Sequence, residues 1–539
     1  MQKKQTILVV ASLLVVVLSV SLAYFTAQII GKGKDVTINS ADLKIIFTDS
    51  DGSISGTNIE PGKWNVTKTF TIENKSNETY KYNIVIQDLV NTFVTNGYLQ
   101  YKITSTNNGY NMTKFKDVPK SETATDTILA YSVSIPVGVT QSYTIEFKYA
   151  NDESVDQSDD MGKKLSGKLF ITEGTEEPTL LSQLLADKST VLTRTDFSKV
   201  LTNDNTKTLY TSTEDSKTVY YFAGNATDNW VKFGKYQNDL IRYRGYYSPV
   251  STSYKEYSTM DECTSASSYN TNCTEHKYAN ADDDIYWRII RTNSDGSVRL
   301  LYHGTSTTAE NAYIGESAFN SSYNDIAYVS YMYGNLGSVV NARENTTNST
   351  IKTIIDNWYK DNLNTNYGKY LSTTAVYCND RTYTVSGSNT FFGARTRLIT
   401  NKTPSYDCTA TEDKFTVDTN TGNGKLTYPI ALMTADEISY AGGLYGTNAS
   451  TWYYYNSANG SSTGSTYWWL LSPDYWIGSG AGVFVVNGSS YPGYLGSYGV
   501  NGASGVRPVI SLKSCIKYST GNGSASDPYT IFLDPDIFC

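Results

Sequence analysis

The sequence predicts a multidomain chain: an all-β jelly-roll or sandwich domain followed by an α+β domain. Three observations lead there. Apolar residues alternate with a period of two through residues 35–173. Beyond residue 219, strand hairpins are interleaved with amphipathic helical stretches. The chain has 539 residues, too many for one ordinary domain.

The N-terminal segment sets the compartment. Gln2-Lys3-Lys4 gives a short positive start, and Ile7 through Ala23 is an almost unbroken apolar run. Such a run is either a signal peptide or a single membrane anchor. Ser19, Ser21 and Ala23 mark a cleavage zone, so residues 1–30 are expected to direct export to the cell surface or beyond. Membrane contact is expected at most through this segment.

Composition narrows the partners. The chain is 39% hydrophobic and 18% charged, with a formal net charge of −8. It can build real cores under a weakly charged surface. No stripe of Lys and Arg is present to neutralise phosphates, so nucleic acid is not an expected partner. The 46 tyrosines, set among Ser, Thr, Asn and Gly, point to extracellular β structure with aromatic surfaces.

The six cysteines, Cys263, Cys273, Cys378, Cys408, Cys515 and Cys539, include no CxxC pair, and His276 and His303 are the only histidines. Zinc sites of ordinary spacing are therefore excluded, and no metal or cofactor is expected. Disulfides fit export. Six cysteines allow about 15 connectivities. The preferred pairs are Cys263–Cys273 and Cys378–Cys408, each stapling a local loop, with Cys515–Cys539 holding the tail.

In the first domain, Phe70 and Ile72 face one way. The same alternation marks Tyr80, Tyr82, Ile84 and Ile86, then Leu99, Tyr101 and Ile103, then Tyr143 to Tyr149, then Leu165, Leu169 and Ile171. Turn signals at Pro61-Gly62, Asn107-Asn108-Gly109 and Pro136–Gly138 separate these runs. Residues 174–218 read as a linker with a short helix, carrying Leu180, Leu181, Leu184 and Leu185 on one face.

The second domain, residues 219–539, opens with strands at Tyr220–Phe222 and Trp230–Phe233. Trp287–Arg291, Asp295-Gly296 and Val298–Tyr302 make a hairpin. Ile351, Ile354, Ile355 and Trp358 lie on one helical face, and Thr434–Glu437 is a capping box closed by Gly442-Gly443. Trp468 and Trp469 are expected on opposite faces of a strand that Pro473 ends. The bland role of Arg507 is to hold loop carbonyls or a carboxylate such as Asp474.

From Tyr440 to Gly505 the only charged residue is Asp474, and the stretch is rich in Tyr, Trp, Ser, Gly and Asn. Recognition loops of antibodies have this composition, because rigid rings give contact area at low entropic cost. The candidate ligand-binding residues are Tyr453, Tyr454, Tyr455, Tyr475, Trp476, Tyr491, Tyr494, Tyr498 and Asn501.

Two resemblances add to these readings. Ser21–Thr26, Ile59–Gly62 and Phe70–Asn74 make the first 170 or so residues similar to the camelysin/TasA group of secreted jelly-roll proteins. That resemblance implies a stalk or fibre module capable of self-assembly. Tyr467–Pro473 with Gly505–Leu512 resembles the C-terminal frame of C-type-lectin-like domains of Firmicutes surface proteins. This fold is shared by formylglycine-generating enzymes and the variable proteins of diversity-generating retroelements. Leu471 replaces the arginine usual in the frame. The second resemblance implies an α+β C-type-lectin-like domain. It also implies that Tyr475–Asn501 could be the product of adenine-directed diversification.

The expectation is a non-enzymatic surface adhesin or receptor. Its partner would be a glycan or a protein on another cell or host surface. The alternative is a structural component of a surface matrix or fibre. Catalytic readings lack parts. The frame from Tyr467 to Leu512 holds no cysteine, there is no GxSxG elbow, and Asp282-Asp283-Asp284 reads as a solvated turn.

Overall fold

The computed structural model describes residues 36–40, 43–49, 53–56, 59–95, 97–309, 312–449, 467–487 and 491–533. The chain is mostly β, with several sheets and a few short helices. It divides into two compact units, residues 1–177 and 178–539. The N-terminal apolar run and Tyr453–Tyr455 lie outside the described residues.

The first unit has two sheets. One runs Val36–Ser40, Leu43–Asp49, Asn65–Asn74, Thr140–Tyr149, Leu99–Ser105, Lys116–Asp117. The other runs Ser53–Gly56, Leu165–Glu173, Tyr80–Asn91, Ser121–Ile135. All of these pairings are antiparallel. Both sheets feed one core. Phe70, Ile72, Ile145 and Phe147 come from the first; Ile84, Ile86, Leu169 and Ile171 come from the second. Alternation works because successive strand residues face opposite sides. The Asn107-Asn108 turn places both residues at positive φ, 54° and 58°, a conformation asparagine tolerates.

Tyr80–Asn91 departs from simple alternation. Asn83 and Val85 are buried as well. Val85 packs with Phe170 in a separate small cluster. The Asn83 amide donates to the Glu173 carbonyl at 2.8 Å and to Thr175 Oγ1 at 3.0 Å, and it accepts from the Ser132 N–H at 3.0 Å. A polar side chain is thus buried with its hydrogen bonds satisfied.

The second unit corrects the linker reading of 174–218. Leu180–Asp187 is a helix capped by Thr179, whose hydroxyl accepts from the Ser182 N–H at 3.1 Å. Leu180 and Leu184 are buried in this unit's core. Thr190–Thr193 and Thr208–Glu214 are strands of its largest sheet. Polar composition hid the end of the second because Glu214 is buried by pairing with Arg291 at 2.8 Å, not by being apolar.

That sheet runs Thr190–Thr193, Thr208–Glu214, Lys217–Tyr221, Asp284–Thr292, Trp230–Lys235, Tyr529–Ile531, Tyr518–Thr520. Val298–Gly304 joins it through the expected hairpin with Asp284–Thr292, and Val509–Leu512 pairs antiparallel with Val298–Gly304. A second sheet holds Glu316–Ala318, Ala503–Gly505, Trp468–Trp476, Ala481–Val486, Tyr494–Gly499 and Leu444–Tyr445, with Asn389–Phe392 also bonded to Trp468–Trp476. The helix Thr350–Asn362 buries Ile351, Ile355 and Trp358. Thr434 and Glu437 form the capping box of Ala435–Tyr440, whose six residues are all buried.

Cys263–Cys273 and Cys378–Cys408 are bonded, with Cα–Cα distances of 6.1 and 5.7 Å. Cys515 is disulfide-bonded too, and Cys539 lies outside the described residues. Among the described residues no helix is long and apolar enough to cross a membrane.

Candidate functional site

The Tyr-rich stretch is built around the strand Trp468–Trp476. Pro473 does not end it; the strand continues to Trp476 with register shifts on both sides of Pro473. Proline lacks the N–H a regular ladder needs, so an irregularity is where a sheet accepts it. Trp468 and Trp469 are both fully buried. The Trp469 Nε1–H donates to the Ser317 carbonyl at 2.8 Å, while Trp468 lies 4.7 Å from the Arg507 guanidinium.

Strand register sorts the candidate residues onto two faces. Tyr475 is opposite Gly482, which is opposite Gly499. Tyr498 is opposite Val483, the next residue along. Neighbouring positions point to opposite sides, so Tyr475 and Tyr498 cannot share a surface.

On the first face, Tyr475 stands over Gly482. A Cβ at that glycine would collide with the ring. Beside it Asp474 is buried. Its two carboxylate oxygens both accept from Arg395 Nη1 at 2.9 Å, and Ser497 Oγ donates to Oδ2. Burial pushes the Asp474 carboxyl above its ordinary value, and Ser497 and Arg395 offset only part of that. The Arg395 guanidinium sits 5.0 Å from the Phe391 ring centre. Phe391, Arg395, Tyr475, Ser497 and Tyr445 are all half-buried. A fixed acceptor and donor thus lie among half-buried aromatic residues.

The second face carries Tyr498, 39% exposed, whose ring lies 5.9 Å from Trp469 and 5.7 Å from Tyr467. Tyr494 follows the same side by alternation, and its ring is 6.0 Å from that of Tyr491, which is 51% exposed. Trp476, opposite Ala481, is half-buried against the core, and Asn501 is exposed in the turn after Tyr494–Gly499.

Sequence reasoning missed Arg395, Phe391, Tyr445 and Ser497. One signal was present: a single carboxylate in an otherwise uncharged stretch needs a cation. The partner is Arg395, 79 residues away, rather than Arg507. Arg507 donates instead to the Tyr302 carbonyl at 3.1 and 3.3 Å, which is the carbonyl-holding role.

Replacing Gly482 by alanine tests the packing of the first face. The added methyl is expected to displace the Tyr475 ring and cost about 1–3 kcal/mol. Denaturant melts give the cost, and near-ultraviolet circular dichroism reports the ring.

A second polar region is a small pocket of about 10 Å³, lined by residues including Arg291, Arg299, Asp380, Arg397, Tyr406 and Asp436. Arg397 donates to Asp380 at 2.5 Å and to Asp436 at 2.9 Å from both Nε and Nη2. These groups are used in pairing one another, as in a structural network. Among the described residues no cluster of His, Cys, Asp and Glu is arranged to hold a metal ion.

No family model matches the chain. No curated protein matches it. Among solved structures, the crystal structure of the class 5 fimbriae chaperone CfaA aligns at 12% identity over 47% of this chain and 91% of that one, with a TM-score of 0.07. A structure described as a chaperone–tip adhesin complex in CFA/I fimbriae biogenesis aligns at 11% identity over 44% and 90%, also with a TM-score of 0.07. Neither alignment bears on the fold at that score.

Proposed function

We propose that this chain is an exported bacterial surface adhesin or receptor. Its second unit would be a C-type-lectin-like domain that binds a glycan or protein ligand, and its first a jelly-roll stalk. One observation carries the reading. The Asp474–Arg395 pair lies among the half-buried residues Tyr475, Tyr445 and Phe391. Rings that offer flat apolar contact beside a set acceptor and donor suit a sugar face or a peptide side chain.

The fold assignment draws on the pairing of Val298–Gly304 with Val509–Leu512, which brings an early strand of the unit beside a late one. The meander Trp468–Trp476, Ala481–Val486, Tyr494–Gly499 forms part of a separate sheet. If the region is a diversified receptor, variation is tolerated at exposed positions such as Tyr491, Tyr498 and Asn501. It is not tolerated along the fully buried strand Ala481–Val486.

The test is binding of the secreted protein to immobilised glycans and to whole cells. Tyr475→Ala is expected to weaken binding at least about tenfold, or about 1.4 kcal/mol, while the chain stays folded by circular dichroism with a loss of stability of no more than about 1–3 kcal/mol. Binding that survives Tyr475→Ala but is lost in Tyr498→Ala would move the site to the opposite face. Binding that survives both, or self-association indifferent to both, would favour a matrix or fibre component.

A further inference from the structure

Lys188 follows the helix Leu180–Asp187, and its side chain is 0% exposed. A buried ammonium is costly unless paired. Its Nζ donates to Asp228 Oδ2 at 2.6 Å and to the Asp228 carbonyl at 2.9 Å. The Asp228 side chain is only 9% exposed. Apolar walls close the site, with the Phe222 and Tyr529 ring centres 5.3 and 5.7 Å from Nζ.

The remaining neighbours are placed for chemistry between these two groups. The Tyr529 hydroxyl donates to Asp187 Oδ2 at 2.7 Å, so its oxygen can accept from Lys188 Nζ, 3.4 Å away. The Lys207 backbone N–H donates to Asp228 Oδ2 at 2.8 Å. Asp228 Oδ1 is buried with no hydrogen-bond partner. One carboxyl oxygen therefore has a donor that would stabilise negative charge, and the other is free to leave.

We propose that Lys188 and Asp228 join in an intramolecular amide bond. One proton moves within the pair from Nζ to the Asp228 carboxyl, and the neutral amine attacks Cγ. Negative charge gathers on Oδ2, against the Lys207 N–H. Nζ passes one proton directly to Oδ1, both being bonded to the same carbon in the adduct, and Oδ1 departs as water carrying that proton and its own; Tyr529, whose hydroxyl proton is held by Asp187, accepts from Nζ and orients it. A C–N bond forms, a C–O bond breaks, and one water is released, with no oxidant, reductant or other reactant. Burial pushes the Lys188 ammonium down, and Asp228 offsets only part of this, which favours the neutral amine the step requires. Holding both groups in contact replaces a bimolecular encounter. The product removes two buried charges and ties the end of the unit's first helix to the loop before Trp230–Lys235.

Among the described residues, the other lysine whose side chain is fully buried differs. Lys352 bonds Asp356 one helical turn away, at 2.5 Å. Both belong to the helix Thr350–Asn362, so a bond there would link nothing the helix does not already hold.

The experiment is mass spectrometry of the purified full chain, denatured, reduced and digested with trypsin. The expected result is a branched peptide joining the segments that contain Lys188 and Asp228, lighter than their sum by one water and uncut after Lys188. Lys188→Arg abolishes that species, and Tyr529→Phe leaves a measurable unjoined fraction. Linear peptides of full mass, with normal cleavage after Lys188, would overturn the proposal. The wild-type digest decides this even if a variant fails to fold. Full joining in Tyr529→Phe would overturn the orienting role of Tyr529.

Discussion

Replacing Glu437 by alanine is expected to lower the unfolding free energy by about 3–5 kcal/mol. This carboxylate is buried, and its Oε1 accepts from Arg291 Nε at 2.8 Å and Arg299 Nη1 at 2.6 Å. Its Oε2 accepts the Thr434 N–H at 2.9 Å, completing the helix cap. Alanine leaves two buried guanidinium groups short of their shared counter-charge. Arg291 keeps Glu214; among the described residues Arg299 is paired with no second carboxylate. Every tryptophan but Trp64 lies in residues 178–539. Tryptophan fluorescence during denaturant unfolding therefore reports mainly this unit. A loss under about 1 kcal/mol, the range of surface pairs, would show that the network contributes little.

The same residue sets an acid limit. Burial alone would raise its carboxyl, but Arg299 and Arg291 outweigh burial and hold it at about 2, against an ordinary 4.5. A depressed folded value stabilises the fold above the unfolded value. That contribution is on the order of 3 kcal/mol, and it is lost as pH falls from about 4.5 toward 2. The wild type should weaken steeply across that window. Glu437→Ala, already lacking the contribution, should show a shallower fall there.

Trp469→Ala is the second large effect, at about 3–5 kcal/mol. The ring is fully buried, packs 5.6 Å from Phe319, and satisfies the Ser317 carbonyl through Nε1–H. Removing it opens a cavity and strands a buried acceptor. Tyr498, which lies on the outer side of the same contact and is 39% exposed, should cost about 1 kcal/mol or less on replacement by alanine. Similar losses at both positions, measured by denaturant melts, would mean that Tyr498 belongs to the core and is not a surface residue.

Much of the fold was legible wherever the information is local. Period-two alternation placed Phe70, Ile72, Ile145 and Phe147 in the core because strand geometry alone decides which side a residue faces. The Thr434–Glu437 box and the Asp295-Gly296 hairpin depend on residues a few positions apart. The disulfides Cys263–Cys273 and Cys378–Cys408 close short loops, 10 and 30 residues in separation. The failures were also physical. The run 174–218 looked like a linker because its buried charge is paired with a distant arginine, and pairing leaves no trace in polarity.

The sequence by itself determined that this protein is β-rich, that its strands alternate, and that one stretch concentrates tyrosine and tryptophan around a single carboxylate. Only the tertiary structure decided that Asp474 pairs with Arg395 and that Tyr475 and Tyr498 lie on opposite faces. The reason is register. A shift of one residue between paired strands exchanges the two faces without changing any local pattern, so which rings share a surface is set by long-range pairing alone.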